Sequence, residues 1–328
     1  MKERVLITGA SGFIGYHLIE EALKNNLEVY AAVRKSSKID HLKDFSINYT
    51  YPDFADISSL KKDIEQNKYH YIIHAAGVTK ARSQNEYNAI NAGYTHNLAL
   101  AAVESGIGLK KFVLLGSLAA VGPLKNIDSI ITEQTTPNPV TAYGKSKLMA
   151  EEKLKAFPKL NYTILRPTGV YGPRDRDIFI FFKQVARGLE PYIGRNDQDF
   201  SFLYVTDLAK ATVKALFAGN QNTYNLSDGG RYNRYELGDN IKKALNSKTV
   251  IFHLPVNFVK FIAYISEKYS SLSNKASTLN VEKLNELMAV NWFCDIEKAK
   301  TDLGFYPEYN LEAGVAETIK WYKTNKWL

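Results

Sequence analysis

The sequence predicts an α/β fold: a doubly wound parallel sheet with a smaller C-terminal α+β domain. In the first half, short apolar runs rich in β-branched residues alternate with longer segments of helical periodicity. This alternation is typical of a parallel sheet covered by helices on both faces. A glycine-rich stretch separates the first apolar run from the first helical segment. After residue 167 the chain changes to loops rich in proline, glycine and aromatic residues, which predicts a second, smaller unit.

Six strands are predicted in the first half, joined by right-handed crossovers. Helices are expected to begin near Gly12, Ile57, Glu86 and Ala142, and the last of these is rich in strong helix formers. The predicted strands are VLIT at 5–8, VYAAVR at 29–34, INYTY at 47–51, YIIHAA at 71–76, KFVLLGS at 111–117 and YTILRP at 162–167.

The second half contains shorter elements. Strands are predicted at SFLYV (201–205), YNLSD (224–228) and TVIFHLP (249–255), with a final helix at 311–325 after a turn-like stretch. We therefore predict a larger domain of residues 1–167 plus about 203–229, and a smaller substrate-binding domain of residues 168–202 plus 230–328.

Composition excludes several classes of protein. The net charge of +8 comes from 42 basic and 34 acidic residues that are scattered along the chain, which indicates a solvated basic surface and no nucleic-acid partner. The single cysteine, Cys294, has no disulfide partner and is interpreted as packing material.

No secretory signal and no bilayer-spanning apolar run is recognised, so we expect a cytoplasmic protein. The apolar segment at 256–265 is either a membrane-surface helix or a packed one; because Asn257 and Lys260 interrupt it, we expect packing and no membrane partner.

The glycine-rich stretch follows the first strand and opens the first helix. Gly9 suits the tight turn, Gly12 allows a pyrophosphate to approach the backbone, and Gly15 allows the helix to pack close to the sheet. The free N–H groups of the helix start attract phosphate. In this strand–turn–helix setting the motif predicts dinucleotide binding by the larger domain, with contacts from Gly9, Ser11, Gly12, Phe13, Ile14 and Gly15.

The end of the second predicted strand bears on which dinucleotide is bound. Sites that select NAD usually carry an acidic residue there for the ribose 2′-hydroxyl, whereas this chain has Arg34 and Lys35. Two cations attract a 2′-phosphate, so NADP is the predicted cofactor and NAD the alternative. A solvated cation pair at a strand end is the other interpretation of these residues.

Several motifs in order along nearly the whole chain resemble the extended short-chain dehydrogenases, the NAD-dependent epimerase/dehydratase family. The chain is most similar to the branch of dihydroflavonol reductases and 3β-hydroxysteroid dehydrogenases. The motifs are TGASGFIG, FADIS, IIHAAG, NAGYTHNL, GSLAAVG, YGKSK, LRPTGVYGP, YVTDLA and LGFYP.

The resemblance implies a Rossmann fold and roles for particular residues. Asp56 and Ile57 would contact the adenine, and Asn91 would lie near the active site. It also implies a homodimer formed through helices at 91–104 and 143–156. Further cofactor contacts implied by the resemblance are Ala75, Ala76, Gly77, Tyr143, Lys147, Pro167, Gly169 and Val170.

A catalytic group is predicted at Ser117, Tyr143 and Lys147, and the resemblance adds Asn91 to it. Tyr143 and Lys147 are four residues apart on a predicted helix, so they lie on one face, one turn apart. A phenol has a pKa near 10 and needs a nearby cation to act at neutral pH. Ser117 ends the preceding strand, where doubly wound folds bind ligands. The predicted reaction is hydride transfer between nicotinamide and a carbonyl or carbinol carbon, with Tyr143 moving the proton.

Departures from the family pattern narrow the substrate. Leu118 and Ala119 stand where sugar dehydratases carry acidic residues, which argues against dehydration. Gly169 and Phe200 stand where nucleotide-sugar epimerases carry diphosphate-binding Asn and Arg, although other arginines could substitute. The arginines that could take over diphosphate binding are Arg174, Arg176, Arg187 and Arg195. A set of aromatic residues either lines an apolar substrate site or belongs to the core: Tyr171, Phe179, Phe181, Phe182, Tyr192, Phe200 and Phe202.

The leading hypothesis is an NADP-linked reductase or dehydrogenase acting on a small ketone, sterol-like, flavonoid-like or sugar-derived substrate. A nucleotide-sugar epimerase with retained cofactor is the first alternative, and a non-catalytic NADP-sensing protein is the second. No metal site is expected, because His70 and His74 lie along a strand, four residues apart, too far to share one ion.

Overall fold

The structure, a computed structural model, describes residues 2–273 and 281–328. The strands are β1 (Arg4–Thr8), β2 (Glu28–Ala32), β3 (Asn48–Thr50), β4 (Tyr71–His74), β5 (Lys111–Leu115), β6 (Tyr162–Pro167), β7 (Gly169–Tyr171), β8 (Leu189–Ile193), β9 (Asp199–Phe200), β10 (Phe202–Tyr204), β11 (Asn222–Leu226), β12 (Tyr232–Asn233) and β13 (Val250–Leu254).

Helices lie between and beyond these strands. They are α1 (Phe13–Lys24), α2 (Ile57–Asn67), α3 (Gln84–Tyr87), α4 (Tyr94–Glu104), α5 (Ala142–Lys155), α6 (Phe179–Ala186), α7 (Val205–Lys214), α8 (Glu236–Leu245), α9 (Val256–Ser273), α10 (Val281–Leu287), α11 (Glu297–Leu303) and α12 (Leu311–Thr324), with a π-helical turn (Asn88–Gly93) between α3 and α4 and short 3₁₀ turns at Asp40–Leu42 and Leu118–Ala120.

Seven parallel strands form the central sheet in the order β11-β6-β5-β4-β1-β2-β3. The strand order reverses between β1 and β4, which is where folds of this class open a crevice for ligands. The predicted doubly wound sheet is confirmed, and each of the six strands predicted in the first half is present.

The strands are buried on both faces because each face carries a layer of helices. Val5 and Ile7 point into one apolar cluster, which α1 and α7 cover. Leu6 and Ile72 belong to the cluster on the opposite face, under α2, α4 and α5. Alternate residues of one strand thus fill two cores, which explains the nearly continuous apolar runs in the sequence.

The later part of the chain both completes the sheet and builds a separate cluster. The predicted strand at 224–228 is β11, which pairs with β6 at the sheet edge. A third apolar cluster joins α6, α8 and α12 to β7 and β10. Strand β13 pairs with β8 in a two-stranded sheet of its own. The domain boundaries given above stay a prediction.

The segment at 256–265 is helical, but the expectation that it is packed is only half right. Val259 and Ala263 are buried, whereas Phe258, Phe261 and Ile265 are exposed. Asn257 and Lys260 lie off the helical face that carries these apolar side chains, so they do not interrupt it. In the described part of the chain, no helix combines the length and apolarity needed to cross a bilayer.

Candidate functional site

The glycine turn between β1 and α1 is too close-packed for larger residues. Gly9 has φ +68°, and a Cβ there would lie 2.7 Å from the Ala75 carbonyl oxygen. A Cβ on Gly15 would collide with the Gly9 carbonyl oxygen. Gly12 occupies the N-cap of α1, and no side chain caps the helix. The first N–H groups of α1 are therefore available to an anionic group such as a phosphate.

A cavity of about 400 Å³ opens at the carboxyl edge of the sheet, beside this turn. That volume lies within the range of small-molecule sites. It brings together the predicted residues Phe13, Ile14, Ala75, Gly77, Ser117, Tyr143, Lys147, Pro167, Gly169 and Val170.

Three side chains with catalytic potential meet at the cavity wall. Thr141 caps α5 by accepting a hydrogen bond from the Gly144 amide at 3.0 Å, which starts the helix one residue before Tyr143. The ammonium of Lys147 lies 5.9 Å from the centroid of the Tyr143 ring. Ser117 follows β5 and accepts a hydrogen bond from the Ala119 amide at 3.2 Å. The predicted juxtaposition of phenol, ammonium and hydroxyl is present in the structure.

Burial changes the proton affinities of this group. It raises the pKa of Tyr143 to about 12, while the adjacent Ser117 hydroxyl acts in the opposite direction. Burial also lowers the pKa of Lys147 to about 8, against the effect of the Glu151 carboxylate. The phenol is therefore protonated at neutral pH, and the ammonium is close to its titration point.

The Lys147 ammonium is held from the sheet side. It donates a hydrogen bond to the Leu115 carbonyl oxygen at 3.0 Å. A Cβ on Gly77 would lie 3.3 Å from the Lys147 Nζ and 2.9 Å from the Asn91 Oδ1. The absence of a side chain at Gly77 thus provides the space that the Lys147 ammonium occupies.

Asn91 connects the loop after β4 to α5 and does not line the cavity. Its Oδ1 accepts from the Val78 amide at 2.9 Å, and its Nδ2 donates to the Val78 carbonyl at 3.1 Å and to the Ser146 hydroxyl at 2.9 Å. These three hydrogen bonds tie the Asn91 amide to other residues of the chain. The placement favours a positioning role for Asn91 over direct contact with a substrate.

A buried ion pair that the sequence interpretation did not identify fixes α5 to the sheet. Arg166 of β6 donates to both carboxylate oxygens of Glu151, at 2.9 and 2.6 Å, and both side chains are buried. Glu151 lies one turn after Lys147 on α5. Its position i+4 from Lys147 was the available signal.

The other predicted cofactor residues lie outside the cavity lining. Arg34 and Lys35 follow β2 and are exposed. The Asp56 carboxylate caps α2 by accepting from the Ser58 amide at 2.9 Å, and Ile57 begins that helix. Ala76 donates its amide to the Thr8 hydroxyl at 2.9 Å. Gly9, Ser11, Gly12 and Gly15 belong to the turn that approaches the cavity.

The aromatic residues named from the sequence divide between two environments. Phe200 and Phe202 line the cavity, whereas Tyr171, Phe182 and Tyr192 are buried in the smaller part of the fold, with Phe179 and Phe181 packed nearby. None of the four candidate arginines lines the cavity: Arg174 stacks on Tyr16, Arg176 lies near Trp327, and Arg187 and Arg195 are exposed.

Helix α10 supplies part of the cavity wall that no sequence motif indicated. Glu282 accepts a hydrogen bond from the Ala142 amide at 2.7 Å, which docks α10 at the start of α5. Trp292 donates its indole N–H to the Glu286 carbonyl at 3.2 Å. The unpredicted lining residues include Asp175, Lys283, Glu286, Leu287 and Trp292.

Among the described residues, no cluster of side chains could hold a metal ion. His70 accepts from the Arg4 amide at 3.0 Å, and His74 is fully buried. Cys294 is buried, and burial raises the pKa of its thiol to about 12, consistent with packing.

Comparisons with known proteins agree with this geometry. The family model described as "NAD dependent epimerase/dehydratase family" matches residues 5–227. The chain is 27% identical to the N-acetyl-α-D-glucosaminyl-diphospho-ditrans,octacis-undecaprenol 4-epimerase of Escherichia coli O157:H7, over 98% of this chain and 96% of that protein. It is 25% identical to the ceramide reductase of Caulobacter vibrioides, over 99% and 96%. The crystal structure of Thermotoga maritima UDP-glucose 4-epimerase with UDP-glucose shares the fold, with a TM-score of 0.80, 21% identity and coverage of 98% and 99%.

Proposed function

The chain belongs to the NAD-dependent epimerase/dehydratase family, and we propose that within this family it is an NADP-preferring oxidoreductase that reduces or forms a carbonyl group in an apolar small molecule. Members of the family are enzymes that use a nicotinamide cofactor. The observation that carries the proposal is the meeting of Ser117, Tyr143 and Lys147 at one cavity wall, next to the glycine turn.

The residues present suit a dinucleotide. The close approach at Gly9 and Gly15 and the uncapped start of α1 leave backbone N–H groups for a pyrophosphate. Lys147, Gly77 and Val170 line the cavity beyond the turn and would hold the nicotinamide end. When bound, the nicotinamide supplies or accepts the hydride.

The side chains of the wall carry out the proton chemistry. Because burial keeps the pKa of Tyr143 at about 12, the phenol holds a proton to donate to the oxygen of a carbonyl substrate. The Lys147 ammonium stabilises the negative charge that develops on the phenol oxygen as the proton leaves. The Ser117 hydroxyl donates a hydrogen bond to the substrate oxygen and fixes its position.

Preference for NADP rests on the exposed cations after β2. Arg34 and Lys35 lie where an acidic residue would select NAD, and Arg34 can bind a 2′-phosphate through two N–H groups.

An apolar substrate is supported by the lining and by the relatives. Phe200, Phe202, Leu287 and Trp292 contribute large apolar surfaces to the cavity. None of the four candidate arginines reaches it to bind a diphosphate. Similarity to a ceramide reductase fits a lipid- or sterol-like carbonyl compound. The alternative, an epimerase with retained cofactor, is favoured by the similarity to a 4-epimerase; it would not consume bulk NADPH during turnover.

The family resemblance also supports a proposal on assembly. We propose a homodimer through α4 and α5, as the family resemblance implies. We also propose that residues 1–167 plus about 203–229 bind the nucleotide, and that the remaining residues bind the substrate.

The proposal is tested by following NADPH and NADH absorbance with a panel of long-chain ketones, sterol ketones and nucleotide sugars. Tyr143→Phe is expected to lose nearly all turnover and to bind NADPH as the wild type does, with Tyr306→Phe, an exposed tyrosine, as the matched control. Undiminished turnover by Tyr143→Phe would exclude the assigned proton donor. Epimerisation at a sugar carbon without net NADPH oxidation would support the epimerase instead.

A further inference from the structure

Helix α10 places an acidic side chain in the wall of the cavity that carries Tyr143. Glu286 lines this cavity, and its side chain is only 23% exposed. Two hydrogen bonds hold the helix in place: Glu282 accepts from the Ala142 amide at 2.7 Å, and the Glu286 carbonyl accepts from the Trp292 indole at 3.2 Å. The position of the Glu286 carboxylate is therefore set by the fold.

One oxygen of the Glu286 carboxylate remains for a ligand. Lys283, three residues earlier on α10, donates to Glu286 Oε1 at 2.7 Å. In the part of the chain that the structure describes, no donor bonds to Glu286 Oε2. Because a carboxylate has about four lone-pair sites, a single ion pair leaves most of its accepting capacity unused.

The other two acidic side chains of the described cavity lining already have partners. Asp175 accepts hydrogen bonds from three backbone amides at and just before the start of α6. Asp177 pairs with Lys80 at 2.9 Å, and its side chain is mostly exposed to solvent. Glu286 is therefore the acidic residue of this lining that can accept a hydrogen bond from a molecule inside the cavity.

Glu286 lies within electrostatic reach of the reacting phenol. Burial is the main cause of the raised pKa of Tyr143; the Ser117 hydroxyl opposes it, and the negative charge of Glu286 adds to it. Both groups line one cavity of about 400 Å³. One small molecule can therefore contact Tyr143 and Glu286 together.

The wall on this side of the cavity is otherwise largely apolar. Phe200, Phe202, Leu287 and Trp292 contribute to the lining. A partly buried carboxylate is costly unless donors satisfy it, and apolar surroundings strengthen each hydrogen bond that it accepts. Such a site favours a ligand that offers a donor at this point, and it disfavours a ligand that brings a second negative charge.

We propose that Glu286 is a specificity-determining residue, which accepts a hydrogen bond from a hydroxyl, amide N–H or ammonium group close to the reacting carbonyl. This inference rests on the proposed function, because it names the class of carbonyl compound that the site reduces. The substrate is an apolar ketone that carries a hydrogen-bond donor near its carbonyl group. A carboxylate or phosphate in the same place is rejected, since it has the same charge as Glu286.

Lys283 offers the opposite kind of recognition, the binding of an anionic substrate. Its side chain is 47% exposed, twice the exposed fraction of Glu286. The ammonium therefore lies nearer the solvent, and the carboxylate is the group presented to the interior of the cavity. Preference for an anionic ketone is the outcome of the test that would assign recognition to Lys283 instead.

Matched carbonyl probes test the proposal by NADPH absorbance. They are α-hydroxyacetophenone and β-hydroxypropiophenone, the methyl ether of each, and the anionic ketone phenylglyoxylate. In the wild type, kcat/KM of at least one hydroxy ketone is expected to exceed that of its methyl ether by about tenfold or more, and phenylglyoxylate should be the poorest substrate.

Variants of α10 show whether Glu286 causes the preference. Glu286→Leu should bring the ratio between hydroxy ketone and methyl ether to within about twofold of unity. Asn285→Leu, an exposed neighbour on the same helix, is the matched control and should keep the wild-type ratio. Glu286→Gln keeps the shape of the side chain and loses its charge, so it should raise kcat/KM for phenylglyoxylate by about tenfold.

Calorimetric titration separates this inference from the proposed function. The hydroxy ketones and their methyl ethers are titrated into the wild type and Glu286→Leu, each saturated with NADP in its oxidised form, so that no turnover occurs. If none of the ketones is reduced, the proposed function fails, whereas a binding preference that Glu286→Leu abolishes still supports the donor site. Equal affinities, absence of binding, or a preference that survives in Glu286→Leu overturns the inference, as does a higher kcat/KM for phenylglyoxylate than for both hydroxy ketones.

Discussion

The guanidinium of Arg166 and the carboxylate of Glu151 form a buried, two-hydrogen-bond ion pair between the central sheet and the helix that carries Tyr143 and Lys147. The two hydrogen bonds measure 2.9 and 2.6 Å. The pair also adjoins β5, because a Cβ on Gly116 would lie 3.2 Å from the Glu151 Oε1. The position of α5 against the cavity therefore depends on an interaction one turn beyond Lys147.

We predict that Glu151→Gln lowers the free energy of unfolding by about 3–5 kcal/mol, because it leaves the Arg166 cation buried without its counter-charge. Urea denaturation followed by circular dichroism measures the change. Glu152→Gln, on the exposed side of the same helix, should change it by less than about 0.5 kcal/mol. Equal stability of the two variants would contradict a structural role for the pair.

We predict that Gly77→Ala impairs turnover more than folding. The added Cβ would lie 2.9 Å from the Asn91 Oδ1, which must shift, and 3.3 Å from the Lys147 Nζ, which must give way by a few tenths of an ångström. Displacement of this kind can cost up to about a hundredfold in kcat. Gly93→Ala is the matched control, since its nearest neighbour lies at 3.7 Å, an ordinary contact. If both variants keep wild-type kcat, the lysine position is not critical.

The pH dependence of carbonyl reduction should follow Lys147. Burial lowers the pKa of Lys147 to about 8, so the ammonium is present below that pH and is lost above it. The phenol of Tyr143, with a pKa raised to about 12, keeps its proton throughout. We therefore expect kcat/KM for the carbonyl substrate to fall by up to about tenfold per pH unit above pH 8. Steady-state rates from pH 6 to about 10 test this; a flat profile would mean that the ammonium is not required.

Cofactor preference should depend on the two cations after β2. Arg34→Ala/Lys35→Ala is expected to lower kcat/KM for NADPH by about tenfold or more, while the value for NADH changes little, because only NADPH carries the 2′-phosphate. Lys38→Ala, which removes another exposed cation nearby, serves as the control. A parallel loss with both cofactors would assign the pair to general surface charge.

The central sheet and the catalytic group could be predicted because their signals are local. Strands buried on both faces give continuous apolar runs, and Tyr143 and Lys147 share a helical face four residues apart. Gly9 and Gly15 stand where a Cβ would collide with the backbone, so their positions follow from the turn itself.

Contacts between distant segments were not predictable in the same way. Lys283, Glu286 and Leu287 reach the cavity only because α10 docks on the start of α5, through a hydrogen bond between residues 140 apart in the chain. The outward apolar face of α9 has the same period as a buried one, so its sequence alone indicates a helix but not which side faces the core. Tyr171 and Phe182 carry the same apolar signal as Phe200 and Phe202, and only packing separates core from lining.

His74 should make the fold sensitive to acid. It is fully buried, and burial lowers its pKa to about 3. The Thr8 hydroxyl accepts from the Ala75 and Ala76 amides, so it donates to the His74 Nδ1 at 2.8 Å and leaves the proton on Nε2, which finds no hydrogen-bond partner among the described residues. The imidazole is therefore neutral in the fold.

Because the unfolded chain takes up this proton below pH 6.5 and the folded chain does not, stability falls as the pH drops from about 6.5 toward 3. At pH 5, about 1.5 units below the usual histidine pKa, this one group should cost the fold about 2 kcal/mol. His74→Gln keeps an acceptor for Thr8 and cannot titrate, so its free energy of unfolding should fall less between pH 7 and pH 5 than that of the wild type. Parallel urea titrations at the two pH values measure the difference. An equal fall in the free energy of unfolding for both proteins would show that His74 takes up its proton in the folded chain as well.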